Sequence, residues 1–238
     1  MPPDRPRRPR LEHIGLALLA VAVVILGYRE YSRDEPPPAR EAFERIYREG
    51  LWAKDAQGKG TSGYGSTLEF TKLYRVFLQD FLAAYQVRSV VDAGCGDWEF
   101  SQAIDWKGIG YLGVDIAPSV IAANQRRFGA ANVRFAVADI VRDELPAADL
   151  LLVKDVLQHL SNADVALFLR QLPRYRHVLI VNDVLPDSLS APAADIATGR
   201  YRPIDVTQPP FSVAGTKVLA WHDRDTGTAK LVVHLERK

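Results

Sequence analysis

Four acidic residues lie in or just after short runs of aliphatic and β-branched residues. Asp92 lies in the segment Val90-Val-Asp-Ala-Gly-Cys-Gly-Asp97, and Asp115, Asp139 and Asp155 each end a later run. Glycine allows the backbone to approach a ligand closely, and a carboxylate at a strand end can accept both hydrogen bonds of a ribose diol. This combination indicates binding of a molecule that contains a nucleoside.

Five apolar runs predict the strands that position these acids: residues 89–93, 110–115, 133–139, 150–155 and 178–183. Helical segments separate them, including one from Pro118 to before Gly129 and one from Ser161 to Leu172. The alternation predicts an α/β fold, a Rossmann-like doubly wound and mostly parallel sheet of about seven strands. Residues 217–222 and 230–235 flank a turn and predict a C-terminal antiparallel hairpin at the end of the sheet. Ligands bind at the carboxyl ends of such strands, so the acids should face one crevice.

Two helices are predicted before the first strand. Residues 39–49 place Phe43, Ile46 and Tyr47 on one face, and Gly50 follows as an end signal. Ser66 and Glu69 have the spacing of a capping box, which predicts a long helix from Ser66 to about Tyr85.

An apolar segment near the N-terminus predicts a membrane anchor over about residues 12–28. Ile14 to Tyr28 contains no charged residue, and arginines lie on both sides of it. An α-helix over this stretch rises about 22 Å, so flanking residues must extend it to cross a hydrocarbon core of about 30 Å. A cleaved signal peptide is the alternative, but the Ala20-Val-Ala22 match lies inside the apolar run.

These features divide the chain into three parts. Residues 1–35 form the basic segment and anchor, 36–60 a linker with the short helix, and 61–238 the main domain. The flanking arginines favour a cytoplasmic N-terminus, which would place the main domain on the opposite side. A supply of cytosolic cofactor favours a main domain on the cytoplasmic side instead, so the orientation stays open.

Composition excludes several classes of function. The net charge of +1 gives no basic surface for nucleic acid. Cys95 is the only cysteine, which excludes an internal disulfide and a zinc site with several thiolates. We therefore expect no nucleic-acid partner and no structural metal.

The ordered motifs resemble those of one family. V-D-A-G-C-G-D, Y-L-G-V-D-I, A-D-I and D-L-L-L-V-K-D-V-L-Q-H-L follow one another as in class I S-adenosylmethionine-dependent methyltransferases. The resemblance runs from about Ser62 to the C-terminus, and it is strongest to a subset with G-C-G-D-W, here residues 94–98. The S-G-x-G-S element at 62–66 and the D-I-x-x-G-x-x-R element at 195–202 also look like that subset.

The resemblance implies S-adenosylmethionine as the cofactor. It implies that Gly94 and Gly96 face the methionine part, Asp115 the ribose and Ile116 the adenine face. The remaining residues that we assign to the cofactor are Asp92, Cys95, Asp139 and Ile140, and Ser62, Gly63 and Ser66 of the loop that we expect to close over the cofactor carboxylate.

The candidates for acid/base chemistry are Asp155 and His159, which share one face if the turn after the fourth strand is helical. Residues 184–212 form a long loop, in which Arg200, Tyr201 and Arg202 are expected to meet an anionic or polyhydroxyl acceptor. The predicted reaction is methyl transfer to a small-molecule or glycan acceptor, at oxygen.

Two other functions remain open. One is a catalytically silent protein that keeps the fold for cofactor or protein binding at the membrane. The other is an NAD-dependent dehydrogenase, whose fingerprint needs a third glycine where this chain has Glu99. A methyl donor carries no pyrophosphate and does not need that glycine.

Overall fold

The computed structural model describes residues 38–185, 192–222 and 227–237. Within these residues, seven strands form a single sheet. Their bounds are β1 Ser89–Ala93, β2 Gly110–Asp115, β3 Val133–Val137, β4 Leu150–Lys154, β5 His177–Val184, β6 Thr216–His222 and β7 Ala229–Glu236. All five strands predicted before the C-terminal hairpin are confirmed, and their ends differ from the predicted ends by at most two residues.

The strand order is β3-β2-β1-β4-β5-β7-β6. The first five strands are parallel to one another, and β7 pairs antiparallel with both β5 and β6. The predicted C-terminal hairpin at the end of the sheet is therefore confirmed. The later strand, β7, is inserted beside β5, and the earlier strand, β6, forms the edge of the sheet.

The same residues contain four α-helices: α1 Ala39–Glu49, α2 Lys72–Ala84, α3 Pro118–Phe128 and α4 Asn162–Leu169. The prediction for α1 is confirmed, including Gly50 in the left-handed conformation with φ 63°. The prediction for α2 is wrong at its start, because the helix begins six residues after Ser66. Thr67 accounts for the difference, since its hydroxyl donates to the Tyr64 carbonyl and accepts from the Phe70 N–H, which forms a turn there instead.

Two apolar clusters cover the two faces of the sheet. One contains Val91 and Leu151 with Phe168 of α4, and the other contains Val90 and Leu152 with residues of α2. Alternate residues of the same strands enter opposite clusters, as expected for strands buried on both sides. The arrangement is the predicted three-layer, Rossmann-like fold.

The main compact unit begins at Pro38. Residues 38–60, predicted as a linker with a short helix, belong to this unit. The predicted anchor over residues 12–28 lies outside the described residues. Among the residues that are described, no helix has the length and apolar character needed to cross a membrane.

Candidate functional site

The loop after β1 is shaped by two glycines. Gly94 has φ 80° and Gly96 has φ 55°, in the region that disfavours side chains. A Cβ at Gly94 would overlap Val156, and one at Gly96 would overlap the Ser62 hydroxyl. Both positions therefore require glycine for the backbone conformation and also for contact between neighbouring protein segments.

Asp115 joins the end of β2 to this loop. One carboxylate oxygen accepts the Gly96 N–H at 3.1 Å and the other accepts the Ala117 N–H at 2.9 Å. Burial raises the pKa of Asp115 to about 6, although these N–H groups favour the ionised form. The carboxylate is thereby fixed in orientation, and it lines a cavity in which it can accept further hydrogen bonds.

Asp92 supplies a second buried carboxylate from within β1. It accepts a hydrogen bond of 2.6 Å from the Tyr111 hydroxyl. Burial raises its pKa to about 6, while Tyr111 and Lys154 act in the opposite direction. Burial also raises the pKa of the Cys95 thiol, which keeps it protonated and unsuited to nucleophilic attack.

These groups line one cavity of about 610 Å³ beyond the carboxyl ends of the strands. It contains every predicted site residue except Arg200 and Arg202, namely Ser62, Gly63, Ser66, Asp92, Gly94, Cys95, Gly96, Asp115, Ile116, Asp139, Ile140, Asp155, His159 and Tyr201. The expectation of a shared crevice is therefore confirmed.

Asp139 caps the turn after β3. One oxygen accepts the N–H groups of Val141 at 2.9 Å and Arg142 at 3.3 Å, and the other pairs with the Arg142 guanidinium at 3.0 Å. The guanidinium also lies 3.9 Å from Asp164. This end of the cavity is thus ordered by local hydrogen bonds.

Asp155 lies in a buried ion cluster. Its backbone has φ 58°, and its carboxylate pairs with Lys154 and, at 2.6 Å, with the Lys230 ammonium. Lys230 also pairs with Asp183 at 2.9 Å. Burial alone would raise the pKa of Asp155, but the two lysines lower it to about 2. The carboxylate stays ionised at neutral pH, so the acid/base role predicted for it does not fit this environment.

His159 is held differently. It ends a short 3₁₀ helix, Leu157–His159, and both His159 and Asp155 line the cavity. Its Nδ1 lies 2.9 Å from the Arg200 carbonyl and must donate to it, which leaves Nε2 as the basic nitrogen of the neutral ring. Burial lowers the pKa of His159, although the Arg200 carbonyl favours the charged form. The ring centroid lies 4.9 Å from that of Trp52 and 5.7 Å from that of Tyr201.

The two arginines predicted to meet an acceptor do not line the cavity. The Arg200 side chain is exposed, and only its carbonyl contributes, through His159. Arg202 is buried, and its guanidinium donates to the Leu160 carbonyl at 2.9 Å and to the Asn162 side chain at 2.7 Å. Its role is to support the turn that carries His159, which corrects the predicted contact with substrate.

Several cavity residues were not predicted from the sequence. Ala39, Phe43 and Tyr47 line it from α1, and Trp52 follows them. The apolar face of α1 was evident, but its partner surface was not. A supporting role of Asp97 outside the cavity lining was also missed: its carboxylate accepts the Ser62 N–H at 3.0 Å and its own N–H donates to the Ser62 hydroxyl at 2.9 Å.

Comparison with protein families identifies the central part of this site. Residues 90–176, which include β1 to β4 and the glycine loop, match the family described as "Methyltransferase domain". This match supports the predicted S-adenosylmethionine-dependent methyltransferase domain. No match is found among curated protein sequences.

Solved structures share the fold of this methyltransferase domain at low identity. Magnesium protoporphyrin IX methyltransferase from Synechocystis PCC 6803 is 15% identical with a TM-score of 0.59, over 86% of this chain and 100% of that one. The N-methyltransferase NodS from Bradyrhizobium japonicum WM9 is 15% identical with a TM-score of 0.54, over 70% and 86%. Human N-acetylserotonin methyltransferase is 16% identical with a TM-score of 0.52, over 84% and 60%.

The charge of the methyltransferase cavity suits its cofactor. S-adenosylmethionine carries a positive sulfonium, a positive ammonium group and a negative carboxylate, so its net charge is positive. The lining contains six carboxylates, Asp92, Asp115, Asp139, Asp155, Asp164 and Asp183, against three cationic side chains, Arg142, Lys154 and Lys230. This excess of negative charge favours a cationic ligand.

Proposed function

We propose that the protein transfers a methyl group from S-adenosylmethionine to an oxygen of a small-molecule or glycan acceptor, with His159 as general base. The observation that carries the proposal is that His159, fixed by the Arg200 carbonyl, lines the same cavity as Asp115. When bound, the cofactor supplies an activated methyl group on its sulfonium. The residues must hold the acceptor oxygen close to it and remove the hydroxyl proton.

The cofactor residues are assigned from the resemblance and from their positions. Asp115 accepts hydrogen bonds from the two ribose hydroxyls, and Ile116 covers the face of the adenine. Asp139 and Ile140 contact the edge of the adenine. Gly94 and Gly96, with Cys95, lie along the methionine part, and the loop of Ser62, Gly63 and Ser66 covers it. The fixed Asp115 carboxylate supports this arrangement, because ordering it in advance lowers the cost of binding.

His159 suits general base catalysis. Its lowered pKa leaves the imidazole neutral at physiological pH, and the bond from Nδ1 leaves the lone pair on Nε2. In the reaction Nε2 would accept the proton of the acceptor hydroxyl, while the cofactor would supply the methyl group by breaking its sulfur–methyl bond and would leave as S-adenosylhomocysteine. Asp155 does not share this step, since Lys154 and Lys230 hold its charge.

The acceptor we propose has hydroxyl groups and no anionic group. Arg142, Lys154 and Lys230 are the cationic side chains that line the cavity in the described part of the chain, and each is paired with a carboxylate. An anionic acceptor would meet an excess of negative charge without an unpaired cation. The Trp52 and Tyr201 rings beside His159 offer flat surfaces for a ring of the acceptor.

A dehydrogenase function is less consistent with the loop. Pyrophosphate binding needs N–H groups directed at the ligand. Here the Gly94 and Cys95 N–H groups donate to the Val114 carbonyl, and the Gly96 and Asp97 N–H groups donate to side chains. A catalytically silent role is also less consistent, because a protein without turnover has no need of a fixed and neutral His159.

The cofactor assignment is tested by thermal unfolding of the full-length protein with S-adenosylmethionine, S-adenosylhomocysteine or NAD. At 100 times the Kd, the first two are expected to raise the melting temperature by about 5–10 °C, because a ligand of the native state stabilises it. NAD should leave it unchanged. Stabilisation by NAD alone would contradict the proposal.

The acceptor is then identified by methyl transfer. Cofactor with a deuterated methyl group is incubated with a metabolite extract that has been separated into anionic, neutral and cationic fractions. Labelled product in the neutral fraction is expected, as an O-methyl ether. Label found in the anionic fraction alone would contradict the proposed acceptor class.

We also propose that residues 12–28 anchor the protein in a membrane, with the catalytic domain on the cytoplasmic side where the cofactor is made. The apolar run between arginines supports this proposal. The double variant Leu19→Arg, Val23→Arg should move the protein from the carbonate-resistant membrane fraction to the soluble fraction. Leu73→Arg, at an exposed position of α2, is the control and should not. Equal partitioning of all three proteins, or digestion of the domain only from the outer side of intact cells, would contradict it.

A further inference from the structure

The loop Ser62–Ser66 is fastened to the rest of the site at two places. Ser62 exchanges two hydrogen bonds with Asp97 of the glycine loop, and its hydroxyl also lies 3.1 Å from the Tyr47 hydroxyl. At the other end, the Gly65 carbonyl accepts a hydrogen bond of 2.8 Å from the Lys154 ammonium. All five loop residues line the cavity, so both attachments determine how the cavity is closed.

The second attachment depends on a buried charge. The Lys154 side chain is 4% exposed, and its ammonium contacts the Asp155 carboxylate and lies 5.2 Å from the Phe100 ring centroid. Gly65 rests directly on this cluster, since a Cβ there would lie 3.2 Å from Asp155 and 3.4 Å from the Lys230 ammonium. A charged donor gives a stronger hydrogen bond to a carbonyl than a neutral donor.

We propose that Lys154 is a positioning residue that holds the loop Ser62–Ser66 closed over the cofactor. The inference rests on the proposed function, because it assumes that this loop covers S-adenosylmethionine. Lys154 lies at the end of β4, in the sheet, so its bond to Gly65 anchors a loop to a rigid element. Loss of the bond lets the loop open, and the cofactor dissociates faster.

The chain offers a matched control for this role. Lys230 is also 4% exposed and also pairs with Asp155, but its hydrogen bonds go to carboxylates and not to Gly65. Lys154→Met and Lys230→Met each remove one buried ammonium and each leave Asp155 paired with the other lysine. A purely structural role of the ion cluster predicts similar effects of the two changes on cofactor binding.

The test is isothermal titration of the full-length wild type and both variants with S-adenosylmethionine and S-adenosylhomocysteine. Lys154→Met is expected to raise the Kd of both ligands by about tenfold, the effect of one charged hydrogen bond, and Lys230→Met by much less. Simple removal of positive charge would instead tighten binding of the sulfonium ligand. Equal Kd changes in the two variants, or tighter binding by Lys154→Met, would overturn the inference.

Gly65→Ala provides a second route if Lys154→Met does not fold. Its φ is not in the left-handed region, and the added methyl group would lie 3.2 Å from Asp155 and 3.4 Å from the Lys230 ammonium, so we expect the loop to move away from the cluster by a few tenths of an ångström while both lysines remain. A similar rise in both Kd values is expected, and an unchanged Kd would overturn the inference. Failure of the wild type to bind either ligand would instead contradict the proposed function itself.

Discussion

Replacing His159 with glutamine is expected to lower kcat by about 10²–10⁴-fold, the usual contribution of a general base. Glutamine can still donate to the Arg200 carbonyl through its amide, so the turn is kept while the basic nitrogen is lost. The Kd of the variant for S-adenosylmethionine should stay within about twofold of the wild-type value. The measurement is methyl transfer to the acceptor found by deuterium labelling, at saturating cofactor.

The pH profile gives a second test of the same residue. Burial lowers the pKa of His159, so the neutral base persists below the ordinary histidine pKa of about 6.5, and kcat should fall only at a pH below that value. His159→Gln should abolish this acid limb. His177→Gln, at the start of β5 and away from the cavity, is the control and should keep kcat and the limb. A kcat within threefold of wild type for His159→Gln would rule out the general base role.

Replacing Asp115 with asparagine is expected to raise the Kd for S-adenosylmethionine by about 100-fold. The two hydrogen bonds that we propose from the ribose hydroxyls would lose their charged acceptor, and each loss should raise the Kd by about tenfold. The amide also cannot keep both bonds from Gly96 and Ala117, since they go to different oxygens of Asp115 and an NH₂ donor replaces one of these oxygens. Isothermal titration with cofactor measures the effect.

Asp149→Asn is the matched control for Asp115→Asn. Asp149 also accepts two backbone N–H groups, from Arg88 and Ser89, both at 2.9 Å, but at the opposite end of the strands. Its replacement should lower the melting temperature and leave the Kd unchanged. If both variants weakened the cofactor equally, the effect of Asp115 would be one of stability and not of contact.

The sequence was sufficient to predict that the residues we assign to the cofactor line one cavity. Gly94, Gly96, Asp115 and Asp139 follow from local rules, because a strand end and a tight turn are determined by neighbouring residues. The acceptor half depends on contacts between distant segments. Trp52 reaches His159 across more than a hundred residues, and no local pattern indicates that contact.

Charged residues were the least predictable part of the site. Asp155 and Arg202 are residue types that often act in catalysis or substrate binding, but here their hydrogen-bond partners determine their roles. Lys230 reaches Asp155 from β7, and Arg202 turns toward the carbonyl of Leu160. Since such pairings depend on tertiary structure, the sequence indicates a charged side chain without indicating whether it is already neutralised.

The position of β7 between β5 and β6 has a consequence for biosynthesis. A ribosome releases β5 and β6 before β7, so the nascent chain must keep the edge of β5 unpaired until residues 229–236 emerge. Lys230 arrives with that strand, and with it the second partner of Asp155. The ion cluster around Asp155 is therefore completed last, after translation has passed the residues that we assign to the cofactor.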